Sequence, residues 1–118
     1  MKLLITGISG FIGRNLINKI IKHEKNILGI SRNKIKLNEL KLLKGDLKDI
    51  SKIKDDLIKF QPEVVIHLAW QGIPDYSFEN SKKNLELSMN FFEFILRLTI
   101  SIKIGVAPKS EITSVVAK

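Results

Sequence analysis

An apolar run that stops at a glycine, with two more glycines following at three-residue intervals, opens the chain. Lys2-Leu3-Leu4-Ile5-Thr6 leads into Gly7-Ile8-Ser9-Gly10-Phe11-Ile12-Gly13. The run reads as a buried parallel strand. Over residues 11–22 the apolar positions recur at helical spacing, with Ile12, Leu16 and Ile20 in one row and Ile17 and Ile21 beside it. Few folds turn a strand directly into a helix through such a bend. Gly7 permits the tight turn, Gly10 lets main chain approach a pyrophosphate with no Cβ between them, and Gly13 lets the helix pack closely on the strands. N–H groups at the helix start, near Phe11 and Ile12, lack partners of their own and, with the helix dipole, favour an anion. Gly7, Ser9, Gly10, Phe11, Ile12 and Gly13 are therefore candidate dinucleotide-binding residues. A merely structural turn is the competing reading.

The rest of the chain alternates strand and helix signals. Residues 26–31 read as a second strand, 35–40 as a loop or one helical turn, and 41–46 as a third strand ending in turn residues. Asp49 is a candidate N-cap for an amphipathic helix marked by Ile50, Ile53 and Leu57, which Pro62 ends. Val64-Val65-Ile66 lies in a fourth strand over 63–69, and a loop follows around Gly72-Ile73-Pro74. A long helix over 80–98 carries two apolar stripes, Leu85, Met89, Phe92 and Leu96, then Phe91, Phe94, Ile95 and Leu98. Residues 102–107 read as a fifth strand. Strands and helices in this order imply an α/β fold, a Rossmann-type doubly wound parallel sheet of about five strands, incomplete at the C-terminus. A single domain over 1–118 holds all of it.

Composition narrows the function. The 118 residues suffice for one core and not for two ordinary domains. A 44% hydrophobic and 27% charged chain is globular in type. Without cysteine there is neither a disulfide nor a thiolate metal site. With His23 and His67 the only histidines, no metal centre is expected. No apolar run reaches the length of a spanning helix, and the start runs into a strand instead of a signal peptide, so a cytoplasmic protein with no membrane partner is expected. The net charge of +8 raises nucleic-acid binding. The lysines, however, are scattered between apolar positions, where they read as solvated faces, and no nucleic-acid motif accompanies them. No nucleic-acid partner is expected. A positive field does favour anionic ligands, although compositional bias of the source explains the lysines equally well.

The glycine spacing is GxxGxxG. Thr6-Gly7-Ile8-Ser9-Gly10-Phe11-Ile12-Gly13 resembles the TGxxGFIG loop of the extended short-chain dehydrogenase/reductase family, which includes NAD(P)-dependent sugar-nucleotide epimerases, dehydratases and ketoreductases. Gly45-Asp46-Leu47 with Asp49, Pro62-Glu63-Val64-Val65-Ile66-His67-Leu68-Ala69, and Asn84 agree with it in order, over residues 1–107. The resemblance implies that Asp46 and Leu47 border the adenine. It implies that Leu68, Ala69 and Trp70 line the path to the nicotinamide, that Asn84 hydrogen-bonds within the active site, and that residues 69–76 lie beside a nucleotide-linked sugar. The residues by themselves also allow Asp46 as an ordinary turn residue, Trp70 as a packed aromatic and Asn84 as a surface helix residue. His67, inside an apolar strand, reads as a buried hydrogen-bonded histidine and not as a catalytic one.

An NAD site places an acid at the end of the second strand for the ribose 2′-hydroxyl. Ser31-Arg32-Asn33 stands there instead, and a hydroxyl with a guanidinium suits a 2′-phosphate, so NADP is preferred over NAD. A solvated arginine is the alternative. Hydride transfer in the resembled family relies on Tyr-x-x-x-Lys, in which the lysine lowers the tyrosine pKa. The one tyrosine, Tyr76, has Asn80 four residues on, and Ser114-Val115-Val116-Ala117-Lys118 has serine in the tyrosine's place. Ser110 follows the fifth strand only loosely. No catalytic residue is identified, and the chain reads as a cofactor-binding portion, truncated or altered after about Ile104; a short non-catalytic sensor module is the rival. The second stripe of the long helix is expected to need a cover, and the resemblance implies a homodimer through residues 85–98. A helix apolar on a wide face within one core is the alternative.

Overall fold

The computed structural model describes residues 1–33, 40–72, 75–106 and 114–117. Five strands form one parallel sheet: β1 (Lys2–Thr6), β2 (Asn26–Ser31), β3 (Lys41–Lys44), β4 (Val64–His67) and β5 (Ser114–Ala117), in the order β3-β2-β1-β4-β5. The helices are α1 (Phe11–Ile20), α2 (Lys54–Phe60) and α3 (Phe78–Val106), with a 3₁₀ stretch at Leu47–Lys52. β1 pairs Leu4 with Leu28 of β2 on one side and with Val65 of β4 on the other. The order reverses at β1. In such a sheet the crevice for a ligand opens beyond the carboxyl ends of the strands at that reversal.

Parallel strands bury both faces, and alternate residues divide between two cores. Leu4, Leu28, Ile30 and Val65 meet Leu47, Ile53 and Leu57 and the α3 residues Phe91, Ile95 and Leu98. Leu3, Ile5 and Ile27 meet Ile8 and, from α1, Ile17. Burying each such side chain contributes about 1.5–3 kcal/mol relative to leaving it in water.

Four expectations are corrected. Residues 102–106 continue α3, and the fifth strand is Ser114–Ala117. An apolar run carries no mark that separates buried helix from strand, and no proline interrupts the chain between Leu98 and Pro108. α2 has Ile53 at its N-cap and no side-chain cap; Asp46 caps the 3₁₀ stretch before it, its carboxylate accepting from the Lys48 N–H at 3.0 Å, whereas Asp49 sits at φ −134° and ψ 72° as a break within that stretch. The chain does leave α2 as foreseen, through a left-handed Gln61 at φ 51° before Pro62. α3 begins at Phe78, where the Ser77 hydroxyl accepts from the Asn80 N–H at 3.2 Å. Its stripes exchange roles: Phe91, Ile95 and Leu98 are buried on the sheet, while Leu85, Met89 and Leu96 are the exposed ones, at 60%, 61% and 57%. The expected feature at 35–40 lies, apart from Leu40, outside the described residues, as do Ile73, Pro74, Ser110 and Lys118.

Candidate functional site

A cleft of about 320 Å³ opens where the strand order reverses, and the bend between β1 and α1 forms its floor. The three glycines of that bend differ in what a side chain would meet. Gly7 has φ +70°, and a Cβ there would lie 2.6 Å from the Leu68 carbonyl carbon and 2.7 Å from the Ala69 nitrogen. At Gly13 a Cβ would fall on the Gly7 carbonyl oxygen and 2.7 Å from the Ile8 Cα. Both positions are closed by the protein itself. At Gly10 the nearest atom is the Gly7 oxygen at 3.4 Å, an ordinary contact, so the protein's own packing does not require glycine there.

Gly10 is the N-cap of α1 and offers no side-chain acceptor. Its own N–H donates to Gly7 O at 3.1 Å and its carbonyl accepts from Arg14 N, but the N–H groups of Phe11, Ile12 and Gly13 find no acceptor among the described residues. The Arg14 guanidinium donates to the Ser9 carbonyl at 2.9 Å and steadies the bend. Phe11, 85% exposed, stands beside the cleft. The result is a helix N-terminus with free donors, positive dipole and no methyl group over it, which is the geometry that holds a diphosphate.

Beneath the bend, Thr6 and His67 join the ends of β1 and β4. The Thr6 hydroxyl oxygen accepts from the Leu68 N–H at 3.2 Å and the Ala69 N–H at 3.3 Å. With its lone pairs so engaged, the hydroxyl proton goes to His67 Nδ1 at 2.6 Å, and the ring proton then sits on Nε2, which donates to Ser88 Oγ at 2.8 Å. The ring lies against Phe91 and Phe92, with centroids 5.2 and 5.4 Å away. Burial holds the His67 pKa below its ordinary 6.5. A neutral, hydrogen-bonded core histidine is what the sequence suggested.

The walls come from the ends of three other strands. Ser31 at the end of β2, Arg32 after it, Leu47 after β3, and Leu68, Ala69 and Trp70 after β4 all line the cleft, with every candidate of the glycine bend. Ser31 is 4% exposed, and its hydroxyl donates to Asn33 O at 2.9 Å, which commits its one proton. Arg32 is exposed and makes no ion pair among the described residues. Trp70 Nε1 is a buried donor with no hydrogen-bond partner there.

Two candidates stand behind the lining. Asn84 is 3% exposed, not a surface residue, and pairs with the main chain of Gln71: Gln71 N–H donates to its Oδ1 at 2.7 Å, and its Nδ2 donates to Gln71 O at 2.9 Å. Asp46 lies between the lining residues Gly45 and Leu47, with its carboxylate turned to Lys48 N and to the Gln71 amide. Thr6 and Gln71 also line the cleft; the sequence placed Thr6 in the glycine motif and Gln71 in the loop expected beside the sugar, and gave neither a cofactor role. Both sit at carboxyl ends of strands flanking the reversal, the one signal that could have marked them.

Tyr76 is 72% exposed, between β4 and α3. Ser114 belongs to β5, while Lys118 lies outside the described residues. No described helix is long and apolar enough to cross a membrane.

Comparison with known proteins agrees with this geometry. Residues 3–106 match the model of the NAD dependent epimerase/dehydratase family. The chain is 36% identical over 110 residues to the protein CapI of Staphylococcus aureus, across 81% of this chain and 33% of that one. Among solved structures it resembles the Bordetella bronchiseptica enzyme WbmG in complex with NAD and UDP, with TM-score 0.65 and 26% identity over 81% of this chain and 34% of that one. The fold also matches UDP-glucose 4-epimerase with UDP-glucose from Thermotoga maritima, with TM-score 0.68 and 21% identity over 83% of this chain and 35% of that one. The chain thus spans about a third of the length of these relatives.

Proposed function

Because the chain belongs to the NAD dependent epimerase/dehydratase family, we propose that it is the cofactor-binding portion of an NAD(P)-dependent enzyme acting on a nucleotide-linked sugar. The observation that carries the reading is the first turn of α1: three unpaired N–H groups beneath a Gly10 whose side-chain position is vacant for no reason internal to the fold. There the diphosphate binds. Leu47 and the turn around Asp46 take the adenine side, and Leu68, Ala69 and Trp70 take the nicotinamide side. Once bound, the nicotinamide supplies hydride exchange at a sugar carbon. This chain's residues bind and orient the dinucleotide, and turnover awaits an acid–base pair that they do not include.

On this reading the cofactor is NADP in preference to NAD, through Arg32. The Ser31 proton is spent on Asn33, so of these two residues it is Arg32 that offers donors to a 2′-phosphate. NADPH and NADH dissociation constants for the native chain and for Arg32→Ala test this: a preference for NADPH that the substitution removes is expected, and equal constants in both proteins defeat it. The exposed α3 stripe of Leu85, Met89 and Leu96 is where a second copy of the chain docks.

Trp70 is the one tryptophan and lines the cleft, which gives a direct assay. Reduced dinucleotide bound there quenches its emission by energy transfer, saturably and reversibly by the oxidised form. Emission that is indifferent to both NADPH and NADH contradicts the assignment.

A further inference from the structure

A second cavity, of about 380 Å³, lies at the opposite end of the sheet from the cleft, where β1, β2 and β3 begin. Its floor is apolar and is fixed by packing on both faces of the sheet. Ile27 is 3% exposed, Ile21 after α1 and Leu40 before β3 pack on the core that holds Ile17, and Phe60 of α2 packs on the other core. Four lysines stand round this floor: Lys2 opens β1, Lys25 precedes β2, Lys41 opens β3 and Lys59 lies in the last turn of α2. Lys2 is in register with Asn26, and Lys41 with Leu28, so three of the cations stand at the starts of adjacent strands, whose spacing is about 4.8 Å. None of the four makes an ion pair among the described residues. Two acids share the lining. Glu24 faces the Met1 ammonium at 3.6 Å, and Asp56 belongs to the first turn of α2, where the helix dipole stabilises a carboxylate. Lys59 has the matching role at the other end of that helix. Lys2, Lys25 and Lys41 belong to no helix and have no carboxylate within ion-pair distance among the described residues.

Three unpaired cations round a fixed apolar floor, in a space the size of a small-molecule pocket, match a ligand that has both characters. We propose that this cavity is a second ligand site, which takes a small phosphomonoester: its apolar or aromatic body lies on Ile27, Leu40 and Phe60, and its phosphate meets Lys2, Lys25 and Lys41. A phosphomonoester carries about −1.5 to −2 charges near neutral pH, more than a carboxylate, and so answers three ammonium groups better. Lysine meets such a group as a point charge and needs no fork geometry. The site stands apart from the cofactor cleft, because it is built at the amino ends of strands whose carboxyl ends form that cleft. Its ligand binds whether or not a dinucleotide does.

Phenyl phosphate titrated into the full chain, followed through amide chemical shifts, tests this. Saturable shifts are expected over residues 21–27, 40–41 and 59–60, the same with and without NADPH. Inorganic phosphate should bind there at least about tenfold more weakly, since it has no apolar body to bury. Lys25→Gln combined with Lys41→Gln, both at exposed positions, is expected to lower the affinity for phenyl phosphate about tenfold. Should the double variant fail to fold, Lys25→Gln alone, outside every strand and helix, is expected to lower it about threefold. Equal binding of the two phosphates would reduce the cavity to surface charge and overturns the proposal. So do an unchanged affinity in the lysine variants, shifts confined to residues 7–13 of the glycine bend, and the absence of any saturable shift.

Discussion

A methyl group added at Gly7 would stand 2.6 Å from backbone of the β4 turn, whereas at Gly10 it would touch nothing closer than 3.4 Å. The same substitution therefore separates folding from binding. Gly7→Ala is expected to cost about 2 kcal/mol or more, since a left-handed residue is strained even before the clash. Gly10→Ala should leave stability within about 0.5 kcal/mol of native while lowering dinucleotide affinity at least about tenfold. Denaturant melts and titrations on the two variants check both halves; a Gly10→Ala protein that binds normally would mean the open position faces no ligand. Of the twelve candidates that line the cleft, the six of the glycine bend with Ser31 and Arg32 were legible from the strand-bend-helix spacing and the end of the second strand, and Leu47, Leu68, Ala69 and Trp70 only through the family resemblance. Asp46 and Asn84 were placed near it but not in it, because a sequence does not reveal which way a capping carboxylate or a buried amide turns.

At the scale of elements, α3 is held to the sheet by apolar packing and by the His67–Ser88 bond. His67 has a folded-state pKa below 6.5 because burial disfavours the imidazolium. Above that pH both folded and unfolded chains are neutral at this residue, and it adds no pH dependence. As pH falls below 6.5 the unfolded chain takes up the proton first, so stability declines toward the lowered folded value. A His67→Gln variant should lose that part of the acid slope in melts recorded from neutral to mildly acidic pH; an unchanged slope would place the titrating group elsewhere. The outer face of α3 makes a separate prediction. Native protein should self-associate in sedimentation, and Leu85→Glu with Met89→Lys should abolish it; a native monomer contradicts the docking of a second copy. Strands β1 to β4 were readable from period and punctuation. The exchange of fifth strand for helix was not, since residues 102–106 are apolar enough for either state and the strand that pairs with β4 lies beyond them.

Across the whole molecule, the sheet order β3-β2-β1-β4-β5 brings the glycine bend, an arginine after β2 and a tryptophan after β4 to one crevice. The chain spans about a third of its relatives, and the acid–base dyad expected of a hydride-transfer enzyme is not among its residues. Incubation with a UDP-sugar and NAD(P) should give binding without turnover; measurable epimerisation or dehydration would show that a different acid–base pair suffices. Everything returns to the free amides of the first turn of α1. Calorimetric titration of the folded chain with NADP and NAD, beside Gly10→Val, weighs that claim most directly. The account predicts saturable heat near one dinucleotide per chain in the native protein and its loss in the variant; a native chain that melts cooperatively yet gives no heat with either dinucleotide would contradict it.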